Sequence, residues 1–382
     1  MENTNTMHLC TAGKGMNIKN IFFTEHGITV MFFAFIIFSI AIPGSSKAQL
    51  NYEQLIQAGP ADAEKLLEAY TRPLFHGFGL GMNSGWTNTA QTLGPLHFDL
   101  RIVGTGSLVP SSKQNFNVTQ IGLSSNLRPS DPRNIISPTF TGDTKRNGPR
   151  MDLFDGNNTR LISFELPKAI IKNFVPTPQL QLTVGFFANT EIMIRAAPKI
   201  RLGEHFGSIS LYGAGIKHNI VRDFIPKEVN KTPFDLSLLA GYTTLQYSLD
   251  LDLQPQNTMI PEAAEHLKDF SGQQLYARFN NFVLQATISK QLSVFTPFVS
   301  IGYSISGANL GLKGNFPIVN SIRNDRLAYI TYTDPFKLKR TYLKTLRGDV
   351  GFQVKLPILR IYGSYGFSGG YEMLSAGIGI GI

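Results

Sequence analysis

The 382-residue chain reads as an all-β protein, a transmembrane antiparallel barrel of about 12–14 strands with a short N-terminal helical plug. Three observations carry that reading. The last nine residues (LSAGIGIGI) alternate with period two to the final position. Leu374, Ala376, Ile378, Ile380 and Ile382 share one face, and Ser375, Gly377, Gly379 and Gly381 share the other. Soluble domains avoid so apolar a terminal edge, whereas a closed barrel pairs its last strand with its first and turns that face to lipid. Alternating runs of about nine to eleven residues also recur along the chain, the length a tilted strand needs to cross a bilayer. Finally, an apolar run near the N-terminus marks the chain for export.

Residues 1–48 read as a signal peptide with an upstream extension. Lys14 and Lys19 precede the apolar run from Ile28 to Ile42, and Ser46-Lys47-Ala48 supplies small residues for cleavage. Met16 offers an alternative start. The only cysteine, Cys10, precedes the apolar run, so the mature chain holds no disulfide, thiolate metal site or cysteine nucleophile. Losing three lysines and two glutamates lowers the net charge from +9 to +8. The excess is concentrated at 124–150 and at 323–347, where seven basic side chains accompany Asp325 and Asp334. For an exported chain this favours outer-membrane lipid and lipopolysaccharide head groups as partners, with no nucleic acid.

Residues 49–75 form the predicted plug segment. Gly59-Pro60 introduces Ala61 to Tyr70, in which Ala63, Leu66, Leu67 and Tyr70 recur at helical spacing, and Pro73 is expected to end the helix. So short a helix is marginal alone, so it should pack in the lumen or at the periplasmic mouth. Residues 76–382 form the barrel. Its first strand is read at Gly77 to Gly85, with Phe78, Leu80 and Met82 facing lipid, the glycines lining the wall, and Trp86 as an interfacial anchor. Further strands are read at Phe98 to Ile102, Gln179 to Phe186, Phe234 to Tyr242, Leu245 to Leu253, Val299 to Ser306 and Val350 to Leu356. Aromatic residues such as Phe279, Phe295, Phe298, Tyr362, Tyr365, Phe367 and Tyr371 are expected to form girdles. Long irregular stretches at 124–150, 218–233, 254–272 and 306–340 are expected outside. The last strand is expected to close on the first at Gly77 to Gly85.

Two blocks, Ala63 to Ser84 (AEKLLEAYTRPLFHGFGLGMNS) with Leu96 to Leu100, and Gly213 to Thr243, are similar to an uncharacterised family of Bacteroidota outer-membrane barrel proteins. That family distantly resembles the outer-membrane long-chain fatty-acid transporters. The resemblance implies an N-terminal plug and a hydrophobic small-molecule ligand as a partner. Many such barrels end in Phe; this chain ends in Ile382, a weaker signal to the outer-membrane assembly machinery.

Candidate chemistry is sparse. His97, Asp99 and Arg101 are expected on one inward face, and Asp250 and Asp252 are expected to face Lys355 and Arg360 across the lumen. A His–Asp pair beside a serine is the ingredient of acyl transfer, yet strand neighbours two apart stand about 7 Å from one another, too far for a direct bond. The pairing reading is preferred, and no catalytic residue is assigned. His76, His97, His205, His218 and His266 show no metal-ligand spacing, and neither a metal nor a cofactor is indicated. Gly77, Gly79 and Gly81 are expected to contact the plug through Leu66, Leu67 and Tyr70. The sequence therefore reads as a non-enzymatic outer-membrane barrel that passes or binds a small solute, with hydrophobic solutes among the options. A structural or surface-interaction barrel is the alternative, ahead of a lipid hydrolase.

Overall fold

A computed structural model describes residues 55–201, 207–225, 232–262 and 268–381. The expected signal peptide at 1–48, residues 49–54 of the expected plug segment and Ile382 lie outside the described residues. The chain begins with helix α1 (Pro60–Asn83), and an irregular segment leads from it to strand β1 (Phe98–Leu108). A long excursion follows, with short strands β2 (Asn115–Asn117), β3 (Leu127–Pro129), β4 (Ile136–Pro138), β5 (Arg150–Phe154) and β6 (Arg160–Glu165). Next come β7 (Phe174–Gly185), β8 (Thr190–Arg201), β9 (Ser208–Asn219), the single-turn helix α2 (Val221–Phe224) and β10 (Asp235–Leu251). Then follow β11 (Ile260–Pro261), β12 (Gln273–Ser289), β13 (Phe295–Lys313), β14 (Asn315–Arg323) and β15 (Arg326–Thr333). The chain finishes with β16 (Lys337–Lys355), β17 (Leu359–Ser368) and β18 (Tyr371–Gly381).

Ten strands close an antiparallel barrel in the order β1, β18, β17, β16, β13, β12, β10, β9, β8, β7. The wall therefore has ten strands, below the 12–14 expected from chain length. The expectation assigned about 20–25 residues to each strand with its loop. Here β10 and β12 each take 17 residues and β13 and β16 each take 19, while β2 to β6, β11, β14 and β15 form small sheets outside the wall. The β7–β8, β12–β13 and β16–β17 connections are short and lie at the end where β1 begins and β18 stops. Most long connections lie at the opposite end. In membrane barrels the short turns are periplasmic and the long loops external.

Alternation decides what each face meets. Leu238, Leu284, Ile301, Leu346, Val350 and Ile378 are among the exposed apolar side chains, each 49% or more accessible, and they belong to outward positions on five strands. Such a continuous apolar belt marks a lipid-facing wall. Leu374, Ala376, Ile378 and Ile380 point outward as read from the terminal stripe, and Gly377, Gly379 and Gly381 point inward. Of the expected girdle, Phe295, Tyr365 and Phe367 are exposed on the outside, whereas Phe279, Phe298, Tyr362 and Tyr371 are buried inside.

The seam forms between different partners than expected. β18 pairs with β1, from Asp99↔Gly381 to Leu108↔Glu372, because Gly77 to Gly85 is not a strand. Its first seven residues complete α1, which runs through Pro73. Proline inside a helix costs about 3 kcal/mol, but here Pro73 is itself buried and Leu74, Phe75 and Leu80 after it pack into the apolar core, while Arg72 faces solvent. The helical segment thus extends past residue 75, and the wall begins at Phe98 rather than at 76. Leu80 and Met82, expected in lipid, are buried at 0% and 2% exposure, and Phe78 packs against Phe279.

α1 threads the barrel from the long-loop end. Asp62 accepts from Ser124 N and Oγ (2.8 and 2.5 Å), Tyr70 Oη donates to Lys168 O (2.9 Å), and Arg340 lies 3.6 Å from Glu68. Leu66, Leu67, Leu74 and Phe75 join Leu211, Leu249, Phe279, Leu310 and Leu338 of the wall in one apolar core. The segment after Ser84 continues toward the short-turn end, where Ala90 N donates to Ser289 Oγ (2.8 Å) and Leu93 N to Glu191 Oε1 (2.6 Å).

Glycines set how closely α1 approaches the wall. A Cβ on Gly77 would lie 2.7 Å from Val175 Cγ2, and one on Gly79 would lie 2.6 Å from Ser306 Cβ. On Gly81 it would lie 2.7 Å from Thr177 Cβ. These glycines belong to the helix and press on inward wall residues, the reverse of the predicted placement. Leu66, Leu67 and Tyr70 do not meet them, since all six share one helix. One part of the wall is not zipped. β7 and β8 pair only from Gln181↔Arg195 to Gly185↔Glu191, and above that row Pro176 and Pro178 on β7 and Pro198 on β8 supply no N–H to a ladder.

Candidate functional site

The last carbonyls of α1 are met by cations inside the barrel. Arg195 on β8 donates to Met82 O (2.7 Å), Ser84 O (2.9 Å) and Gln181 Oε1 (2.9 Å), and its guanidinium lies 3.7 Å from the Trp86 ring centroid. Arg347 on β16 donates to Ser84 Oγ (3.0 Å) and pairs with Asp349. Gln179 Nε2 donates to Gly81 O (2.6 Å), while Arg101 donates to Trp86 O. A helix C-terminus carries partial negative charge and orphan acceptors, so this ring of donors holds the end of α1 in place.

Trp86 sits beneath that ring, buried to 1% exposure with Met193, Leu239 and Val283. It is not an interfacial anchor. Its seat consists of two inward glycines, since a Cβ on either Gly215 or Gly241 would stand 2.7 Å from the indole.

Below the indole a polar vestibule of about 60 Å³ lies toward the short-turn end. Arg101, Lys217, Lys355 and Arg360 line it, against Asp99 and Glu191. Lys217 Nζ pairs with Glu191 (2.8 Å) and donates to Thr89 O and Gln91 O (3.1 and 2.6 Å). Asp99 accepts from Tyr362 Oη (2.9 Å) and pairs with Arg360 (3.3 Å) and, at 4.0 Å, with Arg101. Arg101 and Arg360 therefore share one carboxylate. The terminal glycines make the room: a Cβ on Gly379 would meet Tyr362 Oη at 2.8 Å, and one on Gly381 would meet Arg360 Cζ at 3.0 Å. At roughly 10–15 Å³ per water, the space suits a few waters or one small polar group.

Among the predicted lumenal residues, Asp99, Arg101 and Arg360 lie in this cluster, and Lys355 stands at its margin with much of its side chain exposed. The other three do not. His97 is exposed in the turn before β1, its Nδ1 3.2 Å from Pro95 O, so it shares no inward face with Asp99. Asp250 and Asp252 are exposed on the outside, because Leu245, Leu249 and Leu253 take the inward positions against the α1 core. No group of three or more His, Cys, Asp or Glu among the described residues is arranged to hold a metal.

Arg195, Lys217, Glu191 and Arg347 were not singled out in the sequence. Their signal was present: Arg195 interrupts the apolar run Ile192-Met193-Ile194, and a lone charge at inward parity needs a buried acceptor. At the short-turn rim, His218 Nε2 lies 2.7 Å from Asp223 Oδ2. Hydrogen bonds from Asn189 and His218 hold the Asp223 carboxyl below the usual aspartate range.

Residues 26–382 match the model of a family of unknown function, DUF6588. The chain belongs to that family. No curated protein matches it in sequence. Among solved structures, it is similar to Ail, the attachment invasion locus protein of Yersinia pestis, at 7% identity and a TM-score of 0.24, over 75% of this chain and 97% of that one. It is also similar to the translocator domain of the autotransporter NalP from Neisseria meningitidis, at 10% identity and a TM-score of 0.27, over 88% of this chain and 99% of that one.

Proposed function

We propose that this DUF6588 protein is an outer-membrane barrel that binds a small polar anion in its short-turn vestibule and passes it when α1 shifts. The vestibule itself carries the reading: four cations line it against two carboxylates, within a space that suits one small polar group. The apolar packing of α1 above it closes the straight route, so passage requires the helix to move. Charged and polar side chains outnumber Trp86, Leu93 and Met193 in the lining, a poor match to the hydrophobic solute implied by the fatty-acid-transporter resemblance. The test is ion selectivity in planar bilayers under a salt gradient. Open events should favour anions, and Lys355→Glu should shift the reversal potential toward cations. Cation-selective events, or selectivity indifferent to Lys355, would overturn the anion reading.

The unzipped stretch between β7 and β8 favours a second reading, in which an apolar solute leaves sideways into lipid. Val175, Thr177 and Gln179 face α1 behind that split, so the same helix movement would uncover it. Uptake of a fluorescent apolar dye into proteoliposomes, reduced by the strand-forming pair Pro176→Thr and Pro178→Val, would support it. Undiminished uptake in that variant would remove it.

A further inference from the structure

The outer wall of β12, β13 and β16 carries a patch of unpaired cations immediately above the apolar belt. The ladder places Leu284, Tyr303 and Leu346 in one outward row. One row nearer the long loops stand Phe282, Ile305 and Lys344, and two rows farther Arg278, Asn309 and Lys339. Lys337 follows beside Gly311, and Lys313 beside Gln274. Arg278, Lys313, Lys337, Lys339 and Lys344 are all exposed, and none makes a salt bridge among the described residues. Nearby carboxylates are engaged or lie round the wall: Asp250 accepts from Gln274 (3.1 Å), Asp334 from Gly314 N (2.7 Å) and Asp269 from Ser271 Oγ (2.8 Å), Glu64 and Glu68 face Arg340, and Glu372 is on β18.

Rows are about 7 Å apart along a strand and strands about 4.8 Å apart, so the patch, four rows from Lys344 to Lys313, is roughly 10 Å wide and 27 Å high. Its lowest member sits at the edge of the hydrocarbon, where lipid phosphates lie. The long-loop end places it in the external leaflet. We propose that this three-strand face binds the phosphorylated head group of an anionic glycolipid of the outer leaflet. Charge complementarity selects that occupant over an apolar protein partner. The lysines stand clear of the wall, and the apolar rows Leu284–Tyr303–Leu346 beneath them receive the acyl chains.

The test uses the refolded full barrel in phosphatidylcholine nanodiscs doped with bis-phosphorylated lipid A or with its dephosphorylated form. Retained lipid is counted by native mass spectrometry. The wild type should retain the phosphorylated form selectively. The variant Arg278→Gln/Lys339→Gln/Lys344→Gln should lose about a hundredfold in affinity, roughly fivefold for each charge removed near the surface. Lys145→Gln/Arg146→Gln, on the excursion, should change nothing. Equal retention of both lipids by the wild type, equal retention by the triple variant, or loss in the excursion variant would each overturn the proposal. If the triple variant does not refold, a salt titration of the wild type decides: retention insensitive to ionic strength contradicts a phosphate contact.

Discussion

Substituting Gly241 by alanine should loosen the helix seat, and the sign of its effect distinguishes this structure from an ordinary strand. Glycine in a strand interior is less favourable than alanine by roughly 0.5–1 kcal/mol, so at an unconstrained site the change stabilises. At Gly241 the new methyl would stand 2.7 Å from Trp86 Cε2 and 3.0 Å from Cδ2 and Cζ2. The wall cannot retreat, because Gly241 pairs with Gly215 on one side and Val283 on the other. The indole cannot rotate freely either, being stacked under Arg195. Overpacking of this kind costs about 1–3 kcal/mol, which leaves a net loss centred on about 1 kcal/mol after the backbone gain. Trp86 is the only tryptophan, so its emission reports the event directly. Urea unfolding in micelles should show the lowered midpoint, and folded-state emission should shift to the red as the indole leaves its dry seat. Gly348→Ala serves as the control, since its nearest neighbour is 4.0 Å away. Unchanged emission with a raised midpoint for Gly241→Ala would refute the placement of Trp86.

Other outcomes follow from the same structure. Asp99→Asn should destabilise the folded barrel by about 3–5 kcal/mol, because it strands the Arg360 and Arg101 guanidiniums in a buried site; equilibrium unfolding measures it. Deleting the last five residues removes the ladder between the end of β18 and both neighbours, and should abolish heat-modifiable, membrane-inserted protein on gels. In intact cells, a membrane-impermeant maleimide should label Ala61→Cys, exposed at the long-loop end, and leave His97→Cys unlabelled until the outer membrane is permeabilised. Glu262 is held below the usual glutamate range by the Ser321 hydroxyl, with Asn320 and Arg323 helping against desolvation. A depressed carboxyl stabilises fully above its unfolded pKa near 4.3 and loses that contribution as pH falls through its folded value. Proteolysis of the β14–β15 hairpin should therefore rise only below about pH 4, and Ser321→Ala should move that rise upward.

What the residues disclosed depended on whether one face alone meets the interior. The terminal stripe and the strands through Leu180, Leu238 and Ile301 alternate cleanly because lipid lies on one side and the lumen on the other. Gly77 to Gly85 reads as a strand because glycine at nearly every second position imitates period two. In α1 those glycines serve a different end, allowing the helix to touch Val175, Ser306 and Thr177. The parity of Leu245 to Leu253 inverted for a related reason. β10 runs beyond the height of a bilayer, and its upper half turns its leucines inward to the α1 core while Asp250 meets water. Asp99, Arg101 and Arg360 were legible as inward charges. Their union with Lys217 and Glu191 was not, since it arises from barrel closure across positions ninety or more residues apart.

The account rests on α1 closing the lumen, and a reversible lock tests that most directly. Cys10, the only cysteine in the sequence, lies outside the described residues, and a Cβ on Gly77 would stand 2.9 Å from Val175 Cβ, within a small adjustment of the 3.5–4.5 Å that a disulfide spans. Gly77→Cys/Val175→Cys should be silent in planar bilayers when oxidised and should show open events when reduced. Equal conductance in both states would mean that solutes pass without the helix moving, and would contradict the account.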